Sequence, residues 1–127
     1  MKHLEISKTS HTPAISLNAS TGVLSFIGRS LPENSTAFYK PVLKWIDEYS
    51  ENLPEKTEVT FQLDYFNTAS AKALFTIIEK MDKLVENNHS IVIKWRYDFE
   101  DEDMNELGKE YQELFKTPIL LIAVTNE

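Results

Sequence analysis

Two stretches of the chain concentrate side chains that can carry chemistry. The first is Tyr65-Phe66-Asn67-Thr68-Ala69-Ser70-Ala71-Lys72. Asn67, Thr68 and Ser70 bring amide and hydroxyl groups to the start of an apolar-periodic run, and Lys72 follows Thr68 by about one helical turn. A hydroxyl at a helix N-terminus lies beside free backbone N–H groups and the positive end of the helix dipole. A phosphate placed there finds donors and a favourable field. The competing reading is plainer: Ser, Thr and Asn are the usual N-caps, and capping statistics alone favour Asn67 or Thr68 as a simple cap. The second stretch is the acidic run Asp98, Glu100, Asp101, Glu102, Asp103, Glu106 and Glu110, offset only by Lys109, for a local charge of −6. Acids at a helix start complement its dipole. The same run could dock a basic partner patch or hold a Mg²⁺ or Ca²⁺ ion, since hard cations choose carboxylates. Its spacing does not match a calcium loop.

Other chemistry is poorly supplied. The chain has no cysteine, which removes disulfides, thiolate metal sites and thiol catalysis. Its three glycines, Gly22, Gly28 and Gly108, form no phosphate loop or dinucleotide fingerprint. His3, His11 and His89 are scattered, without a second ligand at metal spacing, and read as surface residues. No metal, cofactor or catalytic residue is expected. A small metal-dependent hydrolase built on Asp98–Asp103 stays as an alternative, though no base or nucleophile is paired with those acids. A plain scaffold module is another.

The elements that position these residues follow from periodicity. His11–Leu17 reads as a strand, Asn18–Gly22 as a turn and Val23–Ile27 as the returning strand of a hairpin, with His3–Ile6 as an added edge. Arg29–Asn34 reads as a loop. A helix begins near Asn34 or Ser35 and carries Phe38, Val42, Trp45, Ile46 and Tyr49 inward; Pro41 should delay its start or bend it. Asn52-Leu53-Pro54 ends it. From Glu58 to Tyr65 the pattern alternates, with Val59, Phe61, Leu63 and Tyr65 on one face and Glu58, Thr60, Gln62 and Asp64 on the other. That is a strand buried on one side. A helix with Leu74, Ile77, Ile78, Met81, Leu84 and Val85 inward runs to Asn87-Asn88. Ile91, Ile93, Trp95 and Tyr97 mark a further strand. A third helix opens within Asp98–Asp103, with Met104, Leu107, Tyr111, Leu114 and Phe115 inward, and Ile119–Val124 is the last strand.

The order is a hairpin followed by αβαβαβ, so the fold class is α/β with a mixed sheet. The polar second face of the Glu58–Tyr65 strand predicts two layers, with all three helices on one side. At 127 residues the chain is sized for one domain, 1–127. A net charge of −7 leaves no basic face for nucleic acid and no attraction to anionic membranes. No signal peptide or membrane span is legible, which makes the cytoplasm the expected location and proteins the expected partners.

A family resemblance rests on specific residues. They are Thr12-Pro13, Gly28-Arg29-Ser30 with Pro32-Glu33-Asn34, Phe38-Tyr39, Pro41, Trp45, Tyr65-Phe66-Asn67-Thr68 with Ser70-Ala71-Lys72, Trp95, and Asp101-Glu102-Asp103-Met104 with Gly108. Together these resemble the SiaC family of bacterial regulatory phosphoproteins, from about Thr12 to Ile122. Leu31 departs from the pattern, where an aromatic residue is expected. The resemblance implies a partner-switch protein without catalytic activity. It implies that a serine/threonine kinase phosphorylates Thr68 and a PP2C-type phosphatase reverses this. It implies that the unphosphorylated form binds a diguanylate cyclase and promotes cyclic di-GMP synthesis and biofilm formation. The logic is similar to that of STAS-domain antagonists, which carry their phosphorylated residue at the same strand-to-helix corner, and a STAS-like two-layer fold is the corresponding expectation. The partner surface implied includes Phe66, Asn67, Thr68 and Lys72, with Arg29, Glu33 and Asn34 from the neighbouring loop.

Overall fold

A computed structural model describes residues 1–125. Three strands come first: β1 (Leu4–Ile6), β2 (Ala14–Asn18) and β3 (Val23–Ser30). Then helices and strands alternate: α1 (Ser35–Tyr49), β4 (Lys56–Phe66), α2 (Thr68–Glu86), β5 (Ser90–Asp98), α3 (Glu102–Leu114) and β6 (Ile119–Val124). The six strands form one mixed sheet in chain order, β1 to β6. β1, β2 and β3 are antiparallel neighbours, whereas β3 to β6 are parallel.

This order explains why the helices share one face. Each parallel step moves one place in the same direction, and crossovers of one hand then put every helix on the same side. A doubly wound sheet reverses direction and covers both faces; here there is no reversal. Leu24, Phe26, Val59, Phe61, Leu63, Ile91, Ile93 and Trp95 are buried beneath the helices. Phe26 stacks on Phe61 at 4.9 Å between ring centroids, and Phe61 meets Trp95 at 5.9 Å. On the other face Val23, Ile27 and Leu120 are exposed, with the Lys94–Glu58 ion pair at 2.7 Å and Arg96 Nε donating to Gln62 Oε1 at 2.9 Å.

Several boundaries differ from the sequence expectation, each for a local reason. β2 starts at Ala14 rather than His11 because Thr9 Oγ1 accepts from the His11 and Thr12 N–H groups, folding 9–12 into a turn, and Pro13 has no N–H to give a ladder. Arg29 and Ser30 belong to β3, paired with Tyr65 and Phe66, rather than to the loop. α1 starts at Ser35 and runs through Pro41. Pro41 and Ala37 are both exposed, so the carbonyl four residues back that loses its donor can turn to water. Tyr39, buried, takes the inward place next to half-buried Phe38.

Tyr65 is the clearest correction. Its alternation with Val59, Phe61 and Leu63 puts it in the core, yet it is 52% exposed. The β3–β4 register shifts so that Gly28 faces Leu63 but Arg29 faces Tyr65, leaving Asp64 as an extra residue. One extra residue swaps the faces of everything after it. Tyr65 therefore turns outward beside exposed Arg29, while Phe66 turns inward beside buried Ser30. Leu114 was expected inward and is 64% exposed. α3 ends there, and Phe115, in extended conformation, takes the inward position against Phe75 and Tyr111 at 5.3 and 5.9 Å. His89 is half-buried rather than on the surface, its Nε2 2.8 Å from Thr57 Oγ1.

Candidate functional site

β3 and β4 are neighbours and parallel, so their C-terminal ends lie together and α1 and α2 start side by side. Both starts are built the same way. Asn34 caps α1, its side chain accepting from Ala37 N at 3.0 Å. Asn67 caps α2, its side chain accepting from Ser70 N at 2.8 Å. Asn67 has extended backbone angles (φ −83°, ψ 174°), as a cap requires, and its carbonyl accepts the first intrahelical bond from Ala71 at 2.9 Å. The cap role that the sequence left open between Asn67 and Thr68 thus belongs to Asn67. Thr68 is the first helical residue and is exposed.

Thr68 accordingly stands where an anion is best tolerated. The opening N–H groups of a helix have no intrahelical partner, and the dipole there is positive. Lys72 follows about one turn on and is exposed; among the described residues it pairs with no carboxylate.

Beneath Thr68 the polar groups are closed to solvent. Ser70, Ser30 and Ser35 are buried, as is Tyr39. Ser70 Oγ donates to the Ser30 carbonyl oxygen at 3.0 Å, and Ser30 Oγ donates to Ser70 Oγ at 2.8 Å. With the Ser30 proton committed, Tyr39 is the donor across its 2.5 Å contact with Ser30 Oγ. Burial raises the Tyr39 pKa above its ordinary value, an effect the serine hydroxyls only partly oppose. Asn67 N also donates to the Ser30 carbonyl, at 3.2 Å, so the β4–α2 turn is pinned to the end of β3.

The expected site residues are brought together in part. Phe66, Asn67, Thr68 and Lys72 form one corner, with Glu33 and Asn34 exposed at the start of α1 beside it. Arg29 lies apart: the pleat turns it toward the open face of the sheet, with Tyr65. Next to the corner is a hollow of about 590 Å³ lined by His11, Thr12, Leu31, Pro32, Glu33, Asn34 and Phe38. The sequence singles out Ser30 and Tyr39 only through the family resemblance, with no site role for either. The spacing of Tyr39 with Val42, Ile46 and Tyr49 was the available sign that it faces inward; Ser30 continues the alternation of Leu24 and Phe26, but its nearness to Ser70 follows from the β3–β4 pairing.

The acidic segment is organised differently. Asp101 caps α3 by accepting from Met104 N at 3.1 Å, and Asp98 accepts from Glu100 N at 2.8 Å. Glu102 and Asp103 occupy the first turn, where they complement the dipole. Among the described residues no group of three or more His, Asp or Glu side chains is placed to hold a metal ion. No helix among them is long and apolar enough to cross a membrane.

Known proteins share this fold. The model of the SiaC family regulatory phosphoproteins matches residues 6–124. An uncharacterized protein of Pseudomonas aeruginosa (strain UCBPP-PA14) is 31% identical over 123 residues, covering 97% of this chain and 98% of that protein. A chain in the crystal structure of diguanylate cyclase SiaD in complex with its activator SiaC, from Pseudomonas aeruginosa, superposes with a TM-score of 0.90 at 30% identity, over 95% of this chain and 99% of that one. The apo-SiaC crystal structure from Pseudomonas aeruginosa gives 0.89 at 30% identity, over 97% and 100%. The match spans the sheet and all three helices, and the chain belongs to the SiaC family of regulatory phosphoproteins.

Proposed function

We propose that this protein is a phosphorylation-controlled partner switch without catalytic activity. A serine/threonine kinase transfers the γ-phosphoryl group of ATP to Thr68 Oγ1, releasing ADP and the hydroxyl proton. A PP2C-type phosphatase hydrolyses the ester. The unphosphorylated form binds and activates a diguanylate cyclase through the corner formed by Phe66, Asn67, Thr68 and Lys72 together with Glu33 and Asn34. Arg29, on the other face of the sheet, belongs to this surface only at its margin. The observation that carries the reading is the exposed Thr68 at the first position of a helix already capped by Asn67. The cyclase partner follows from the relative whose structure is a complex of SiaC with the cyclase it activates.

The energetics favour control by charge. A phosphate adds about −1.5 to −2 charges at neutral pH. A partner that covered it would have to strip water from a dianion, and an unpaired buried charge costs several kcal/mol. About 3 kcal/mol already exceeds a hundredfold in affinity. The test is a pull-down and titration of the cognate cyclase with wild-type, Thr68→Ala and Thr68→Asp protein. Thr68→Ala should bind and activate like wild type, and Thr68→Asp should bind more weakly. Equal binding by all three forms, with equal binding by kinase-treated protein, overturns the reading.

A further inference from the structure

The buried hydroxyls under Thr68 join elements that are far apart in the chain. The chain of donors runs from Tyr39 OH on α1 to Ser30 Oγ on β3, then to Ser70 Oγ on α2, and ends on the Ser30 carbonyl oxygen. Ser35 Oγ on α1 lies 3.4 Å from Ser70 Oγ and adds a second link. Every one of these residues is buried. None of their hydroxyls can exchange its partner for bulk water, so displacing one must displace the others or leave a buried donor unpaired.

Each end of this buried chain adjoins a group nearer the surface. At one end, Ser70 N is held by Asn67 Oδ1 at 2.8 Å, two residues from Thr68. A phosphate on Thr68 competes for the N–H groups of this first turn and so pulls on the segment that carries Ser70. At the other end, Tyr39 meets the Phe38 ring edge to face at 4.9 Å. Phe38 is one wall of the hollow that also contains His11, Leu31 and Pro32. Leu31 N donates to the His11 carbonyl at 2.7 Å, which fixes the far wall to the loop that leaves Ser30.

We propose that the Tyr39–Ser30–Ser70 hydroxyl chain is a latch coupling Thr68 to the Leu31–Phe38 hollow, so that a phosphate on Thr68 changes the shape of that hollow as well as the charge of its own corner. Tyr39 is then a positioning residue: it touches neither phosphate nor partner and acts through Ser30 and Phe38. The proposal deepens the switch reading, from which it takes only Thr68 as the place of the phosphate.

The test installs phosphothreonine at position 68 during translation, by genetic code expansion, so that it depends on no kinase and no cyclase. Backbone amide spectra are compared for the phosphorylated and unmodified forms of wild type, Tyr39→Phe and Ser70→Ala. In wild type, phosphorylation should shift the amides of Leu31, Glu33, Asn34 and Phe38 as well as those of residues 69–73. In Tyr39→Phe, which keeps the ring and loses only the donor, the shifts at 31–38 should be at least halved while those at 69–73 persist. Ser70→Ala should behave alike. A purely structural role would lower the melting temperature of the variants and leave their loop shifts at wild-type size, and that result overturns the latch. So does a wild-type protein whose 31–38 amides do not respond, whatever the variants do. Failure of cyclase binding to follow Thr68 would instead count against the switch and leave these shifts untouched.

Discussion

Thr68 and Ser70 are two residues apart in the first turn of α2 and point to opposite environments: Thr68 is exposed, and Ser70 is wholly buried with its Oγ donating to the Ser30 carbonyl at 3.0 Å. Two residues on an α-helix are separated by about 200° around the axis, so one of them must turn inward if the other turns out. Of these two hydroxyls, a kinase that needs an accessible one is therefore offered Thr68. Treated with the kinase proposed for it and ATP, the protein should carry phosphate on Thr68 and none on Ser70, as mapped by mass spectrometry, and Thr68→Ala should carry none. Removing the two hydroxyls should also differ in stability. Thr68→Ala should change unfolding free energy by no more than about 0.5 kcal/mol, whereas Ser70→Ala should cost about 1–3 kcal/mol by stranding buried partners. Urea titrations decide this.

Phosphorylated protein should be about as stable as the unmodified form. At most places on a chain of net charge −7 a dianion adds repulsion. At the start of α2 the dipole offsets this by roughly 0.3–1 kcal/mol, which moves a melting temperature by a few degrees at most. Thermal unfolding followed by circular dichroism should show near-coincident curves. A phosphorylated form that melts many degrees lower would mean that the modification acts by unfolding, not by spoiling an interface.

Gly108 should resist replacement even though it lies inside a helix. Alanine there would gain about 1 kcal/mol of helix propensity. Its Cβ, however, would fall 2.4 Å from Leu121 Cδ2 and 2.7 Å from Trp95 Cδ1. Leucine can move aside, but the Trp95 ring is buried and its Nε1 donates to the Met104 carbonyl at 2.9 Å. Overpacking of this kind costs about 1–3 kcal/mol, so Gly108→Ala should be destabilised on balance. Tryptophan fluorescence during urea unfolding reads both the midpoint and the disturbed ring.

His89 should make the fold sensitive to mild acid. Burial holds its pKa below the ordinary 6.5, while the unfolded chain titrates near that value. Between the two, the unfolded state binds more protons, and stability falls as pH falls. The contribution is fully present above about pH 6.5 and is lost as pH drops through the folded-state value. Melting temperatures measured from pH 7.5 down to 5 should decline more steeply for wild type than for His89→Gln, which can still bond Thr57 but does not titrate. Parallel curves would show that other groups set the acid response.

The order of elements, the one-sided sheet and the Asn67–Lys72 corner were legible in the sequence because each is written in local period and composition. Val59, Phe61 and Leu63 alternate over a few residues, and Leu74, Ile77, Ile78, Met81 and Leu84 repeat at helical spacing, so no distant partner is needed to see which side is buried. Asn67 and Thr68 announce a helix start in the same way. The tertiary structure decided what depends on pairing between strands. The shift between Gly28 and Arg29 turned Tyr65 outward and Phe66 inward, although nothing in the alternation of β4 marks it. The same register put Ser30, forty residues from Ser70, under α2 and within reach of Tyr39. A period is a property of one segment, but a register is a property of two, and only the folded chain brings the second one alongside.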